Sequence, residues 1–261
     1  MNKALFFDID GTLVSFKTHE VPESTIEALQ KAHDRGNKIF ISTGRPYQII
    51  NNLGPLQQRG IIDGYITMNG AYCFIGDNVL YKSPIPQETV KNVADISRHE
   101  GFPTIFVGEK SIKVCQPDEE VRKIFYEFLH VEILPVATFD EVVDIETYQM
   151  TPFFTVDFEP KIRPYLNQCE LNRWYPTFVD ITAKGNTKAH GIKVILDYLH
   201  LSVDDAMAFG DGGNDIPMLL AAGTGIAMGN SDDKVKDAAD YVTTSVDDNG
   251  IANALQRFGL I

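Results

Sequence analysis

Residues 4–16 read "ALFFDIDGTLVSF". Four apolar residues, Ala4 to Phe7, run straight into Asp8 and Asp10, which stand two apart and are followed by Gly11 and Thr12. An apolar run of this length bounded by Asp and Gly reads as a strand buried on both faces. Two carboxylates at its carboxyl end repel each other. Either a cation draws them together, or the pair is merely a turn.

Outward from this strand the pattern repeats. "PESTIEALQKAHDRGNK" (residues 22–38) reads as a helix, with Pro22 suited to the first turn, Ile26 and Leu29 on one face and Gly36 as the stop. "KIFIS" and "YITMN" read as further strands, the first ending at Thr43-Gly44-Arg45. The last third resumes the alternation: "TKAHGIKVILDYLH" as helix, "AMAF" as a strand ending in Gly210-Asp211, "DIPMLLAAG" as helix and "TGIAM" as strand. Strands alternating with helices predict a doubly wound, Rossmann-like parallel sheet, an α/β core covered on both faces.

The middle of the chain differs. Alternating runs "TIFVG", "SIKVC", "FFTVDFE" and "TFVDITA" are separated by helical patterns at 86–100 and 117–130, which predicts an inserted α+β domain. Pro and Gly cluster at Ser83-Pro84-Ile85-Pro86 and Ala183-Lys184-Gly185-Asn186. The expected division is therefore a core of residues 1–82 and 185–261 with an insertion at 83–184.

Composition narrows the function classes. The 261 residues carry 23 Lys and Arg against 36 Asp and Glu, a formal charge of −13. That balance argues against a general nucleic-acid binder, yet permits an anionic small substrate at a site dominated by a metal ion and a few cations. Cys73, Cys115 and Cys169 have no metal-ligand spacing and suggest no disulfide set, so they read as packed thiols of a reduced protein. With no signal peptide and no stretch of membrane-spanning length, the chain reads as cytoplasmic, with neither membrane nor nucleic acid as partner.

Polar residues gather where ligands of open α/β sheets bind, beyond the strands' carboxyl ends. They are Asp8-Ile9-Asp10-Gly11-Thr12, Thr43-Gly44-Arg45, Lys188 opening a helix after Gly185-Asn186-Thr187, and Gly210-Asp211-Gly212-Gly213-Asn214-Asp215. Each alone has an ordinary explanation as a turn, a flexible loop or a solvated lysine. Together and in this order they point to one site.

This set resembles the haloacid dehalogenase superfamily of phosphotransferases, and the insertion resembles its C2B-type cap. "ALFFDIDGTLVSF", "IDGYITMNGAYCF", "AKGNTK" and "FGDGGNDIPML" are similar to the Cof-type sugar-phosphate phosphatases of subfamily IIB. The resemblance implies a Mg²⁺-dependent phosphatase of small phosphorylated metabolites, with hexose phosphates foremost. Asp8 fits the nucleophile that forms an aspartyl-phosphate, and Asp211 fits a direct metal ligand. The resemblance adds the Asp10 backbone carbonyl as a further ligand and makes Lys188 the cation that neutralises the phosphate. The Asp10 carboxyl would protonate the leaving oxygen and then deprotonate the attacking water. Thr43, the backbone at Gly44 and Asn214 are candidate phosphate contacts, and Asp215 a support for Lys188 or the metal ligands. Arg45, Asn69 and Gly70, with Arg173, Trp174 and Asp180 in the cap, are candidate leaving-group contacts; a helix-start arginine, a hairpin turn and a core tryptophan are their plainer readings. The alternatives are a sugar phosphomutase or phosphotransferase and a non-catalytic phosphosugar-binding protein; the last usually has a damaged motif, whereas Asp8, Asp10, Lys188 and Asp211 are all present.

Overall fold

The computed structural model describes residues 2–261. Contacts divide the chain into two units, one of residues up to Arg45, Ile50–Tyr81 and Thr187–Ile261, the other of Pro46–Ile49 and Lys82–Asn186. The short segment Pro46–Ile49 joins the second unit, where Gln48 Nε2 donates to the carbonyls of Gly108 and Glu109 at 3.1 and 3.0 Å.

The first unit is built on strands β1 (Ala4–Phe7), β2 (Lys38–Ser42), β3 (Gly64–Thr67), β4 (Tyr72–Ile75) and β5 (Asn78–Lys82), joined after the insertion by three more. These are β11 (Ala206–Gly210), β12 (Thr224–Ala227) and β13 (Tyr241–Val242). The sheet order is β13-β12-β11-β1-β2-β3-β4-β5. The pairs from β13 through β3 are parallel, and β4 turns back antiparallel on β3. The α/β Rossmann-like core and the separate inserted sheet are thus both present.

β1 is buried along its whole length because its side chains feed two cores in alternation. Leu5 and Phe7 belong to one hydrophobic cluster, Ala4 and Phe6 to the other. Phe7 stacks on Phe209 with ring centroids 4.5 Å apart, and Phe6 on Phe40 at 5.1 Å. Such offset pairs add about 0.5–1.5 kcal/mol each beyond their burial. The chain runs outward from β1 through β2 and β3, then returns after the insertion to lay β11 on β1's other side. The order reverses between β1 and β11, which is where open α/β sheets leave a crevice at their carboxyl ends.

The second unit holds β6 (Thr104–Gly108), β7 (Ile112–Cys115), β8 (Thr147–Pro152), β9 (Cys169–Tyr175) and β10 (Phe178–Ala183), an antiparallel sheet of order β7-β6-β8-β10-β9. The helix Gln87–Glu100 packs its Val90, Val93 and Ala94 into the same core as Phe106, Met150, Val179 and Ile181 of the sheet. One expected strand is absent. "FFTVDFE" forms a 3₁₀ turn over Val156–Phe158 and begins the helix Glu159–Ile162, and the strand lies just before it, at Thr147–Pro152. Pro160 in that helix's first turn favours the helical start, and the aromatic alternation reflects packing of Phe154 and Phe158 against Phe102.

Candidate active site

Asp8 leaves β1 with its N–H donating to the Phe209 carbonyl at 3.0 Å, so it stands level with the end of β11. The chain then closes a tight loop in which the N–H groups of Leu13 and Val14 both reach the Ile9 carbonyl. Gly11 sits in this loop at φ +84°, and a Cβ there would fall 2.1 Å from Asp211 Oδ2. Only glycine lets the loop approach Asp211 so closely.

Lys188 comes from a third direction. Thr187 caps the helix Lys188–Leu199, its Oγ1 accepting from the His190 N–H at 3.1 Å, which places Lys188 at the first helical position. The turn Met68–Gly70 presses on this cap: a Cβ on Gly70, at φ +93°, would lie 2.2 Å from the Thr187 carbonyl oxygen. The Lys188 side chain has no exposed surface. Its Nζ donates to Asp8 Oδ1 and, at 2.6 Å, to Asp215 Oδ1. The other Asp215 oxygen accepts from the N–H groups of Asp211 (3.0 Å) and Gly212 (2.9 Å). The Asp215 carboxylate therefore ties the lysine to the loop that carries Asp211.

Asp211 receives the Thr12 hydroxyl at 3.0 Å on Oδ1 and the Asn230 amide at 3.4 Å on Oδ2. Asp10 points elsewhere: Arg45 grips its carboxylate through Nε and Nη2, each at 2.8 Å. Thr43 is buried, its hydroxyl oxygen accepting from the Arg45 N–H at 3.0 Å. Backbone bonds stitch this segment to the next strand end, Thr43 N–H to the Ile66 carbonyl (2.8 Å) and Asn69 N–H to the Thr43 carbonyl (3.0 Å). Asn69 consequently lies against Gly44, within 3.2 Å of where a Gly44 Cβ would stand. Asn69 and Gly70 do form a turn between β3 and β4, and that turn sits between Gly44 and Thr187. Asn214 is exposed on the 3₁₀ turn after β11.

Burial and charge act strongly here. Burial, then the charge of Asp215, raises the Asp8 carboxyl well above the usual range, although Lys188 opposes the shift. Asp211 is pushed up to about 7, first by burial and then by Asp215. Burial disfavours the Lys188 ammonium, but Asp215 and Asp8 outweigh it and hold the lysine charged. Four carboxylates (Asp8, Asp10, Asp211 and Asp215) thus meet two cations, Lys188 and Arg45. Asp8, Asp211 and Asp215 each offer an oxygen within 4.8 Å of the others. The cluster is consistent with a divalent cation, and a hard oxygen-only donor set suits magnesium. Because three N–H donors already occupy Asp215, Asp8 and Asp211 are the better-placed side-chain ligands.

The cap candidates belong to the second unit. Asp180 is buried and accepts from Gln149 Nε2 at 2.9 Å and Thr151 Oγ1 at 2.7 Å, on the face of β8 and β10 opposite Met150 and Ile181. Arg173 holds the unit's own turn together. Its Nε donates to Glu159 Oε1 and its Nη1 to the carbonyls of Phe154, Tyr175, Pro176 and Phe178, while its buried Nη2 has no hydrogen-bond partner among the described residues. The Trp174 side chain lies outside the described residues.

Sequence reasoning left Asn230 out. Its Nδ2 donates to the Gly11 carbonyl at 2.9 Å and its Oδ1 accepts from the Val246 N–H at 3.0 Å, so it braces the loop around Asp8 and Asp10 as well as Asp211. The signal was available: Asn230 follows β12, another strand ending at the same edge of the sheet. No helix among the described residues is long and apolar enough to cross a membrane.

Residues 5–255 match the family of haloacid dehalogenase-like hydrolases. A solved structure of the subclass IIB sugar phosphatase BT4131 superposes with a TM-score of 0.93 at 57% identity, covering all of both chains. The phosphatase BT1666 from Bacteroides thetaiotaomicron superposes at 0.87 with 38% identity, over 100% of this chain and 96% of the other. The pyridoxal phosphate phosphatase YbhA of Escherichia coli (strain K12) is 30% identical over 92% of each chain. The chain belongs to the haloacid dehalogenase-like hydrolases and is a phosphoric monoester hydrolase of that type.

Proposed function

We propose that the protein is a Mg²⁺-dependent phosphatase of small phosphorylated metabolites, sugar phosphates foremost, acting through an aspartyl-phosphate on Asp8. The observation that carries this reading is the setting of Asp8: a buried carboxylate at the switch between β1 and β11, touched by Lys188 and sharing a cluster with Asp211.

A carboxylate that attacks a phosphate monoester approaches another anion, at a cost on the order of 4 kcal/mol per charge pair at about 4 Å and an effective dielectric near 20. Bound magnesium, held by Asp8, Asp211 and the Asp10 carbonyl, would supply the charge that offsets this repulsion. Lys188, Asn214, the Thr43 hydroxyl and the backbone at Gly44 then hold the phosphate oxygens, and positioning does most of the remaining work. Asp8 forms the bond to phosphorus as the ester bond to the leaving oxygen breaks, and the Asp10 carboxyl supplies the proton that oxygen needs. The same carboxylate next takes a proton from the water that cleaves the aspartyl-phosphate.

Sugar specificity is supported by the similarity to the sugar phosphatase BT4131. Phosphate release from hexose, pentose, triose, pyridoxal and nucleotide monophosphates, with and without Mg²⁺, tests the reading. The expected result is fastest release from sugar phosphates by the wild type and none by Asp8→Asn. Release by Asp8→Asn at the wild-type rate would refute the mechanism, and a ranking led by pyridoxal phosphate would refute the substrate assignment.

A further inference from the structure

On sequence grounds Arg45 is a candidate contact for the leaving group. Its geometry is that of something else. The Nε–Nη2 edge of the guanidinium is committed to the Asp10 carboxylate, one nitrogen to each oxygen at 2.8 Å. The arginine is the deeper partner, its side chain 10% exposed against 33% for Asp10. Its backbone is fixed as well, the N–H on Thr43 Oγ1 and the carbonyl accepting from the Met68 N–H at 3.2 Å. A planar fork on an anchored backbone dictates the plane and direction of the carboxylate it holds, which a lysine cannot do.

Asp10 needs such a restraint. With two rotatable side-chain bonds and a third of its surface exposed, Asp10 would turn away from its neighbours toward water if nothing held it. We infer that Arg45 is the positioning residue of Asp10, and that it acts on both halves of the reaction rather than on recognition of the sugar. This rests on the hydrolase mechanism proposed above.

The two roles separate in time. In the first half-reaction the Asp8–phosphorus bond forms, the ester bond breaks, and the proton on Asp10 passes to the departing oxygen. In the second, water oxygen bonds to phosphorus, the Asp8–phosphorus bond breaks, and a proton of that water passes to Asp10. By then the alcohol has left. A residue that only reads the sugar has nothing to touch in the second step, whereas a residue that orients Asp10 still governs its rate.

The test is rapid-quench measurement of phosphoenzyme formation and decay in the full-length enzyme with Mg²⁺. p-Nitrophenyl phosphate serves as phosphoryl donor because its leaving group departs without a proton. Wild type, Arg45→Ala, Arg45→Lys, Asp10→Asn and the double variant Arg45→Ala/Asp10→Asn are compared. A misplacement near 1 Å costs on the order of 10²-fold in rate. Arg45→Ala should therefore slow phosphoenzyme decay by about that factor and make the phosphoenzyme accumulate. Arg45→Lys, which keeps the charge and the fold but loses the fork, should also accumulate it. In the double variant the arginine change should add almost nothing to the Asp10→Asn defect, because the two act as a unit. Wild-type decay in both Arg45 variants, with a raised KM for hexose phosphates, would overturn the assignment in favour of sugar contact. Independent, multiplying defects in the double variant would overturn it too. A wild-type enzyme that forms no phosphoenzyme would overturn the proposed mechanism and this inference with it.

Discussion

Replacing Lys188 by Met probes the electrostatic centre of the site. The side chains of Lys188 and Asp215 have no exposed surface, and that of Asp8 is 11% exposed. At 2.6 Å and an effective dielectric near 20, the lysine's attraction to Asp215 is roughly 6 kcal/mol before desolvation is subtracted. Removing one partner of a buried pair generally costs about 3–5 kcal/mol, because the charge left behind stays desolvated. Here Asp8, whose carboxyl burial already raises, can take up a proton, so the lower end, about 3 kcal/mol at pH 7.5, is expected for the metal-free protein. At roughly 2–4 °C per kcal/mol for a chain near this size, the melting temperature should fall by about 6–12 °C. The sign of the pH dependence follows from linkage. Without Lys188, which opposes the shift, the Asp8 carboxyl that burial already raises binds its proton still more tightly than in the unfolded chain, so the variant gains stability as pH falls and its deficit should shrink at pH 5. Adding Asp215→Asn should recover much of the loss, since it removes the second buried charge. Thermal and urea unfolding at both pH values measure this. A deficit below 1 kcal/mol at pH 7.5, or one equal at the two pH values, would refute the placement of the lysine between two buried acids.

Gly70→Ala should destabilise the protein by about 1–3 kcal/mol, because φ is +93° and the new methyl would meet the Thr187 carbonyl; equilibrium unfolding measures it, and an Ala variant as stable as wild type would contradict the close approach. Magnesium affinity should fall as pH drops through about 7, because the Asp211 carboxyl is pushed up to about 7, burial raises the Asp8 carboxyl as well, and a metal ligand must shed its proton; calorimetric titration of the metal-free enzyme follows this directly, and an affinity unchanged between pH 8 and 6 would contradict it. Burial pushes the Cys73 thiol up to about 12 from 9.0, so the native state keeps its proton where the unfolded state loses it. Stability should accordingly fall as pH rises above 9, and Cys73→Ala should blunt that slope in urea titrations at pH 8 and 10.

Much of this protein is legible in order along the chain. The strand at residues 4–7, the stop at Asp8 and the glycine after Asp10 are local consequences of apolar runs, turn residues and caps, and they place Asp8, Thr43, Lys188 and Asp211 at the ends of elements before any packing is known. Residues 153–159 show the limit of that method. Their alternation reads as a strand, yet Pro160 and the packing of Phe154 and Phe158 against Phe102 make the segment turn and then helix.

What a side chain touches across the sheet is not a local property. Asp10 is two residues from Asp8, but its partner is Arg45, 35 positions away in the segment that follows β2. Arg173 stands in a stretch that suits a sugar pocket, yet two of its guanidinium nitrogens are bound to Glu159 and four nearby carbonyls, partners that no local spacing announces. Asn230 carries no motif of its own and gains its place only because β12 ends beside the loop of Gly11. Which residue types arrive at the sheet's carboxyl edge follows from the order of apolar runs, turns and caps along the chain. Which of their charges pair is settled in the folded molecule, because pairing depends on strand order, burial and distances that no spacing along the chain encodes.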